Sequence, residues 1–340
     1  MDLFEFISLQ QVSKLTNNLH ISKNNNTKKP QKMTPIFKEV AILWKDQKRQ
    51  YVRPSTYATY TQLCNSLILP VFGDGPLPDE AAVQSFVTDL LGLGYAVKTV
   101  KDTVLVLKMI VRHGEKLGVW PAKRFTIHYP SNIENSKQVQ SFQPYHISKL
   151  LKYITSNPNP RNIGLVICIF SGLRIGEICG LQWRDVDLRE GVLRVNKTVQ
   201  RIYLADGANR QYYVSVDRPK TNSSIREIPI PANLKVMLKS YKRTIQQDYF
   251  VISGKASPLE PRTYRAYFYR LLKMLSLPKT RFHALRHSFA TRCIESKCDY
   301  KTVSAILGHS SIATTLNLYV HPGLSQKRKC IERLAKSIHL

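Results

Sequence analysis

One stretch near the C-terminus constrains the fold more than any other part of the chain. It runs from Arg281 to Pro322 and reads RFHALRHSFATRCIESKCDYKTVSAILGHSSIATTLNLYVHP. Apolar residues at helical spacing predict a first short helix that opens near His283. Asp299 is suited to cap a second helix, Gly308 to end it, and the serines after Gly308 to cap a third. The stretch therefore predicts three short helices that are joined by tight turns.

The polar residues on these predicted helices form a chemically meaningful set. His283 and Arg286 lie three residues apart on the first helix, His309 follows a glycine, and Tyr319 lies on the third helix. An arginine stays charged at any working pH, and its planar guanidinium matches the oxygens of a phosphate. Positive charge also favours ionisation of a nearby tyrosine. The set is suited to attack of a hydroxyl on a phosphodiester, although each residue taken alone is equally compatible with a structural role.

Two upstream segments extend this set to a longer pattern. SGLRIGE, from Ser171 to Glu177, contains Arg174, and RPKTNSSIREIPI, from Arg218 to Ile230, contains Lys220. Together with HALRH, LGHS and the tyrosine ten residues later, these segments resemble the tyrosine recombinase (phage-integrase) family in residue type and order. The resemblance covers the chain from about Ser141 to the end, and weakly the half before it. It implies a site-specific integrase whose catalytic residues are Arg174, Lys220, His283, Arg286, His309 and Tyr319.

The resemblance also implies how bonds and protons move. Tyr319 would attack the scissile phosphate and form a 3′-phosphotyrosyl bond, and a 5′-hydroxyl of the partner duplex would later reverse the step. Lys220 would protonate the leaving 5′-oxygen, and His283 would assist as a base or proton relay near the tyrosine. Because the covalent intermediate keeps the bond energy, no ATP is needed.

The remaining residues of the pattern would bind the phosphate. Arg174, Arg286 and His309 would hold its non-bridging oxygens and stabilise the charge of the transition state. Glu177 would support Arg174, although an ordinary ion pair at this spacing is compatible with the same residues. This set uses no metal and no cofactor, and neither is expected.

The composition is strongly basic, with 51 lysines and arginines against 23 acidic residues and a formal net charge of +28. Such an excess indicates a polyanionic partner, most commonly nucleic acid, and the charge alone is also compatible with RNA or a membrane surface. The resemblance implies that the partner is double-stranded DNA. Between Val97 and about Leu117, a basic stripe runs beside an apolar one. Its predicted DNA-binding residues are Lys98, Lys101, Lys108 and Arg112. A solvated helix face is the alternative interpretation of these charges.

The sequence carries no signal for export or membrane insertion. No apolar run approaches the roughly 18 residues that span a bilayer, and a basic and then apolar leader is not seen after Met1. The six cysteines are scattered, without a C-x-x-C pair or histidines at zinc spacing. This usage fits a reducing cytoplasm and predicts no metal site. The expected location is cytoplasmic and DNA-associated, in a bacterial, phage or mobile-element setting.

Composition and helix signals divide the chain into four parts. A tail or linker is expected at 1–34, a helical domain at 35–120, a linker at 121–140 and a larger domain at 141–340. The resemblance implies that the helical domain is the core DNA-binding domain and that the larger one is the tyrosine recombinase catalytic domain. The predicted fold class is mainly α (α+β). A small helical core-binding domain precedes a mixed helical catalytic domain with a small antiparallel β-sheet.

Local signals give further expectations within these parts. In the first domain, a helix that begins after Pro54 is expected to stop by Pro70. In the catalytic part, alternation predicts a strand at Gly191–Val199. The last residues, Ser325–Leu340, predict a basic amphipathic helix that packs either on its own domain or on a neighbouring subunit.

Assembly and activity leave alternatives open. The resemblance implies a homotetramer on two DNA sites, with a DNA-bending or excision factor as a possible accessory. A type IB topoisomerase uses similar chemistry as a monomer, and a DNA-binding relative without activity is the non-enzymatic alternative. The HALRH and LGHS segments and the small helical domain favour the recombinase, and every expected catalytic position is filled.

Overall fold

The computed structural model describes most of the chain. The described residues are 35–130, 141–204, 211–219, 221–242, 245–319, 328, 331–332 and 334–335, with the backbone alone at 204, 222 and 317–319. The chain divides into two compact units, residues 1–131 and 132–340. The predicted tail at 1–34 and most of the predicted helix at 325–340 lie outside the described residues.

The described part of the N-terminal unit contains helices and no strands. Its helices are α1 (Phe37–Tyr51), α2 (Pro54–Leu63), α3 (Leu69–Phe72), α4 (Glu80–Gly92) and α5 (Val97–Lys116). Asp79 caps α4, because its Oδ1 accepts from the backbone N–H of Ala82 at 2.8 Å. Such caps satisfy backbone donors that the first helical turn leaves unpaired.

The core of this unit forms around α5. Trp120, which follows the helix, stacks on Phe37 of α1 with ring centroids 5.6 Å apart. A Cβ at Gly114 would lie 2.2 Å from the Trp120 ring, so this position requires glycine. The spacing of the apolar stripe is confirmed, since α5 buries Val100, Val104, Leu107 and Val111.

The predicted helix end at Pro70 is wrong. Helical backbone continues to Phe72, through a π-helical turn at Cys64–Ile68. The backbone N–H of Leu69 bonds to the carbonyl of Cys64, five residues back. Pro70 has no N–H and falls in the first turn of α3, where no intrahelical donor is needed. The wider π turn therefore lets the chain pass a residue that usually ends a helix.

The C-terminal unit combines helices with two small sheets. Its described helices are α6 (Pro144–Ser156), α7 (Pro160–Ser171), α8 (Ile175–Gly180), α9 (Ala232–Lys242), α10 (Pro261–Met274), α11 (His283–Glu295), α12 (Tyr300–Leu307) and α13 (Ile312–Tyr319). Helix α7 is buried along most of its length and packs in one core with Tyr264 and Phe268 of α10 and Leu285 of α11. The predicted fold class, mainly α with a small antiparallel sheet component, is confirmed.

The described strands form two small sheets, in which all neighbouring strands are antiparallel. One sheet has the order β1 (Val186–Asp187), β2 (Val192–Val195) and β5 (Arg226–Pro229). In the other, β3 (Thr198–Leu204) pairs with β4 (Gln211–Asp217). Strand β5 pairs with β2 so that Arg226 lies opposite Val195.

The single strand predicted at Gly191–Val199 is wrong, because the chain changes sheets after Val195. Asn196 and Lys197, which link β2 to β3, both bind the carboxylate of Asp185. The distances are 3.1 Å from Asn196 Nδ2 to Oδ1 and 2.7 Å from Lys197 Nζ to Oδ2. These contacts with a distant residue interrupt a run whose local pattern is that of one strand.

Candidate active site

The turn between α7 and α8 positions Arg174. Gly172 follows α7 in the left-handed conformation, with φ of 63°. A Cβ there would lie 2.6 Å from Phe289, so both the backbone and the available space require glycine. Arg174 then precedes α8, and its backbone N–H donates to Oε2 of Glu177 at 2.9 Å.

A buried carboxylate joins two arginines at this turn. Glu177 is 4% exposed. Its Oε1 accepts from Nη1 of Arg174 at 2.8 Å and from Nη1 of Arg226 at 3.1 Å, and its Oε2 accepts from Nη2 of Arg226 at 3.0 Å. Burial raises the pKa of Glu177, but the hydrogen bonds and charge of Arg226 and the charge of Arg174 outweigh it and lower the pKa overall. The three groups together carry one net positive charge.

Arg286 lies on α11 and is 1% exposed. Its Nη1 donates to the carbonyl of Gly172 at 3.0 Å, and its Nη2 donates to the carbonyl of Leu307 at 2.7 Å. Both carbonyls lie at the C-terminal ends of helices, where partial negative charge favours a cation. Arg286 therefore connects the turn that carries Arg174 with the turn that carries His309.

The predicted cap and stop of α12 are confirmed. Asp299 accepts from the backbone N–H of Thr302 at 2.7 Å, and Gly308 ends the helix with φ of 66°. The Gly308 carbonyl accepts from Nη2 of Arg174 at 3.0 Å. His309 follows, with Nδ1 at 2.8 Å from the hydroxyl of Thr315. If Nδ1 accepts this bond, the Nε2 proton is available to a phosphate oxygen.

Three histidines of the site have pKa values lowered from 6.5 to about 4. Loss of hydration is the largest cause at His283, His287 and His309. The charge of Arg286 adds to it at all three rings. His287 also lowers the pKa of His283, whose ring centroid lies 4.6 Å away. His283 is exposed, and water screens part of the effect there. All three rings are neutral at pH 7.

A groove of about 540 Å³ opens over these turns. Arg174 and His309 both contribute to its wall, so a phosphate in the groove would lie beside a fixed positive charge and a histidine ring. The lining residues include Arg174, Glu177, Gln200, Pro219, Thr221, Ser224, Gly308, His309 and Thr314.

The two remaining catalytic candidates are less fully described. Lys220 lies outside the described residues, although its neighbours Pro219 and Thr221 both line the groove. Tyr319 is the last residue of α13, and its backbone alone is described. The described part of the chain therefore brings together Arg174, Glu177, His283, Arg286 and His309.

The predicted DNA-binding stripe lies on α5, but two of its members also have structural contacts. Nζ of Lys108 donates to the carbonyl of Phe125 at 2.9 Å, and Nζ of Lys101 lies 5.1 Å from the centroid of the Tyr129 ring. The side chain of Lys98 is exposed, and its Nζ lies 3.5 Å from Oδ2 of Asp102. Thus the four cations do not present equivalent charge to solvent.

Arg112 is exposed on α5 and borders a shallow pocket of about 90 Å³. Lys108, Lys123 and Arg124 line the same pocket, and Arg124 pairs with Glu115 at 2.8 Å. The local concentration of cations makes this pocket a candidate for a phosphate contact in the described part of the N-terminal unit. Lys123 and Arg124 were missed in sequence because they follow the helix and fall outside its periodic pattern.

Sequence reasoning also missed two residues of the C-terminal unit. Arg226 was given no role, since its partner Glu177 lies 49 residues away in sequence. No local spacing indicates that pair. His287 lies four residues after His283, and the helical spacing of HALRH could have placed the two rings together.

Within the described part of the chain, no group of three His, Cys, Asp or Glu side chains could hold a metal ion. None of the described helices is long and apolar enough to cross a membrane.

Comparison with protein families gives two matches. Residues 140–325 match the model of the phage integrase family. Residues 36–89 match the model described as phage integrase, N-terminal SAM-like domain. The first match covers more than half of the chain and includes every catalytic candidate named above.

Individual relatives and solved structures agree with these matches. A tyrosine recombinase XerC-like protein of Caldanaerobacter subterraneus subsp. tengcongensis is 28% identical over 274 residues, which are 74% of this chain and 69% of that protein. The Tn1549 transposon integrase, solved with a circular intermediate DNA, has a TM-score of 0.69 and 25% identity over 87% of this chain and 99% of that one. A lambda integrase tetramer bound to a Holliday junction shares the fold, with a TM-score of 0.65 and 16% identity over 92% of this chain and 88% of that one.

Proposed function

The chain belongs to the phage integrase family, and on that basis we propose that it is a site-specific DNA recombinase. It cuts and rejoins DNA strands through a 3′-phosphotyrosyl intermediate. The observation that carries the proposal is the convergence of Arg174, Arg286 and His309 on the short turn that ends α12. Arg286 binds the carbonyl of Leu307, Arg174 binds that of Gly308, and His309 follows directly.

Tyr319 is the nucleophile of this reaction. Its phenolic oxygen attacks the scissile phosphorus, a bond from the phosphorus to the tyrosine forms, and the bond to the 5′-oxygen breaks. Lys220 gives its proton to that oxygen, which leaves as a 5′-hydroxyl. A 5′-hydroxyl of the partner strand then attacks the phosphotyrosine and returns the proton, so that the number of phosphodiester bonds is conserved.

The phosphate is held by groups that are fixed before DNA arrives. Arg174 lines the groove and keeps its orientation through Glu177 and the Gly308 carbonyl. His309 lines the groove beside it. Arg286 is buried between the two turns, and its charge stabilises the negative charge that develops at the phosphate.

His283 acts as a base or proton relay for Tyr319. In the DNA-free protein its pKa is about 4, because of lost hydration and neighbouring positive charge. An anionic phosphate in the groove offsets that charge and raises the pKa. The ring therefore becomes a better proton acceptor only when the substrate is bound.

The N-terminal unit supplies affinity for double-stranded DNA. Its cations on α5 include Lys98, Lys101, Lys108 and Arg112, and the net charge of the whole chain is +28. Contacts of such side chains with phosphates add affinity without reading sequence. Residues 35–120 thus form the core DNA-binding domain, and residues 141–340 form the catalytic domain.

The assembly is a homotetramer on two DNA sites in the cytoplasm, and its biological role is integration or excision of a mobile element. The lambda integrase tetramer on a Holliday junction and the Tn1549 transposon integrase on its circular intermediate support this proposal. A DNA-bending or excision factor is a further expected partner. The matched family favours this function over a type IB topoisomerase and over an inactive relative.

Trapping of the covalent intermediate tests the proposal. A nicked DNA substrate that loses a short 5′-hydroxyl fragment should leave the wild-type protein attached to its 3′-phosphate. Tyr319→Phe should bind the same DNA but form no adduct, since only the attacking hydroxyl is lost. Tyr300→Phe, a change at an exposed tyrosine of α12, is the matched control and should form the adduct normally. An adduct with Tyr319→Phe would show that the nucleophile is another residue.

A further inference from the structure

Arg226 has no role in the mechanism above, yet it contacts three segments that carry catalytic residues. Its side chain is 6% exposed. Nη1 and Nη2 donate to the two oxygens of Glu177 at 3.1 and 3.0 Å. Nη1 also donates to the carbonyl of Ser224 at 3.0 Å, and Nε donates to the carbonyl of Ile306. One guanidinium therefore joins β5 to α8, to the turn before β5 and to the end of α12.

We propose that Arg226 is a positioning residue that keeps Arg174 directed at the scissile phosphate by acting through Glu177. This inference rests on the recombinase function proposed above. Arg174 and Glu177 alone form a neutral pair, whose charge would attract a phosphate weakly. With Arg226 the group of three carries one net positive charge, and Glu177 divides its hydrogen bonds between both guanidinium groups. Nη2 of Arg174 bonds elsewhere, to the Gly308 carbonyl.

Arg226 also fixes the distance between two flanking segments of the groove. Ser224 lies four residues after Lys220, and Ile306 lies two residues before Gly308. A Cβ at Gly308 would lie 3.1 Å from Nη1 of Arg226 and 2.9 Å from the carbonyl of Ser223. The packing around the guanidinium is therefore tight, and a shorter side chain would leave both segments without their common contact.

The ionisation of Glu177 gives this inference a distinctive signature. Two charged groups face the Glu177 carboxylate, Arg174 at the start of α8 and Arg226 on β5. The charge of Glu177 also affects the thiol of Cys168 on α7. Burial raises the pKa of Glu177, while the two arginines lower it. Without Arg226, the hydrogen bonds and charge that mainly oppose the effect of burial are lost, so the pKa of Glu177 rises. A protonated Glu177 cannot hold Arg174 as an ion pair.

Arg226→Gln tests the inference through the pH dependence of cleavage. In single-turnover cleavage of the nicked substrate at saturating protein, we expect a rate about 10²-fold below wild type at neutral pH, the size of loss that a misplaced contact produces. The acid limb of the rate profile should move to higher pH. Arg226→Lys retains the charge without the two-pronged geometry, so its acid limb should lie between those of wild type and Arg226→Gln.

Arg201→Gln is the matched control. Arg201 forms a similarly enclosed ion pair with Glu260 at 2.7 Å in the same unit but does not contact Glu177. Arg201→Gln should lower the melting temperature about as much as Arg226→Gln does, without moving the acid limb of the rate profile. A rate profile for Arg226→Gln that keeps the wild-type acid limb would overturn the inference.

A second measurement separates this inference from the proposed function. Infrared titration of the carboxyl groups in the DNA-free protein, with Glu177→Gln to identify the band, reports the ionisation of Glu177 directly. The band should titrate at higher pH in Arg226→Lys and Arg226→Gln. If the wild-type protein forms no adduct, the recombinase function fails, whereas an unshifted band in both variants overturns the role of Arg226 alone. Arg226→Lys retains a charge, so it keeps the test available if Arg226→Gln does not fold.

Discussion

The two units of this protein hold their positive charge in opposite ways. On α5 of the N-terminal unit, cations lie outside an apolar core, and the side chain of Lys98 is 85% exposed. In the C-terminal unit, Arg286 is 1% exposed, and the side chain of Arg226 is 6% exposed. Salt screens exposed charges strongly and buried charges weakly. The first arrangement therefore suits affinity for DNA, and the second suits fixed geometry at a phosphate.

The same difference predicts how each unit responds to mutation. A buried charge that loses its partner is costly, because neither water nor another group replaces the lost contact. An exposed ion pair contributes little, because water solvates both partners when the pair is broken. Substitutions of buried charges in the C-terminal unit should thus change chemistry and stability, and those of exposed cations without structural contacts on α5 should change binding alone.

The largest effect is expected at Lys220, whose loss should affect chemistry and not binding. Lys220→Ala should slow cleavage by about 10²–10⁴-fold, since an alkoxide leaves poorly without a proton. A thiol has a pKa of about 8.5 and leaves readily as a thiolate. A substrate with sulfur in place of the bridging 5′-oxygen should therefore restore cleavage by Lys220→Ala. The rates of strand cleavage on both substrates measure this.

Four other variants show whether rescue by the sulfur substrate is specific to loss of the proton donor. Tyr319→Phe should not be rescued, and Arg174→Ala and Arg286→Ala should be rescued poorly, since they lack charge stabilisation. Lys197 is the matched lysine: its Nζ binds Asp185 at 2.7 Å and Gln182 at 2.8 Å, so Lys197→Ala should show no preference for sulfur. Equal rescue of every variant, or none for Lys220→Ala, would assign the proton to another donor.

Glu177→Gln should produce the largest loss of stability. It keeps the shape of the side chain but leaves the buried guanidinium of Arg226 without its carboxylate, and such changes cost about 3–5 kcal/mol. Glu115→Gln in the N-terminal unit removes the partner of Arg124, whose side chain is 65% exposed, and should have a far smaller effect. The free energies of unfolding in urea test the pair. Equal losses would contradict the distinction between the two units.

Local sequence signals predicted the parts of the fold that depend on neighbouring residues. The cap at Asp299, the left-handed Gly308 and the apolar stripe of α5 all follow from spacing within one or two turns. These signals failed where contacts between residues far apart in sequence determine the structure. Asp185 binds Lys197 and so helps to interrupt a predicted strand, and nothing near Arg226 indicates its contact with Glu177. The catalytic residues were predicted because their order along the chain resembles that of a known family. The contacts that hold them in place could be seen only in the structure.

Stability should fall as the pH is lowered through the range in which free histidine titrates. In the folded protein the pKa values of His287 and His309 are lowered from 6.5 to about 4, first by lost hydration and then by Arg286. Between these values the unfolded chain binds more protons than the folded chain. The free energy of unfolding therefore decreases from pH 6.5 towards pH 4. Urea unfolding at several pH values measures the slope.

Single substitutions identify the source of that slope. His287→Gln removes a titrating ring and should flatten the pH dependence between about pH 6.5 and pH 4. His128→Gln, at an exposed position of the N-terminal unit, is the control and should retain the wild-type slope. If both variants behave alike, the pH dependence arises outside the C-terminal site.

The smallest effects are expected on α5, where they distinguish exposed cations from cations with structural contacts. Arg112→Ala should weaken DNA binding and reduce the slope of log affinity against log salt by about 1, the effect of one lost phosphate contact. Its melting temperature should stay unchanged because Arg112 is exposed. Lys108→Ala should also lower the melting temperature, since its Nζ donates to the Phe125 carbonyl at 2.9 Å. Replacement of all four stripe residues should flatten the slope most, and an unchanged slope in that variant would exclude α5 from the DNA interface.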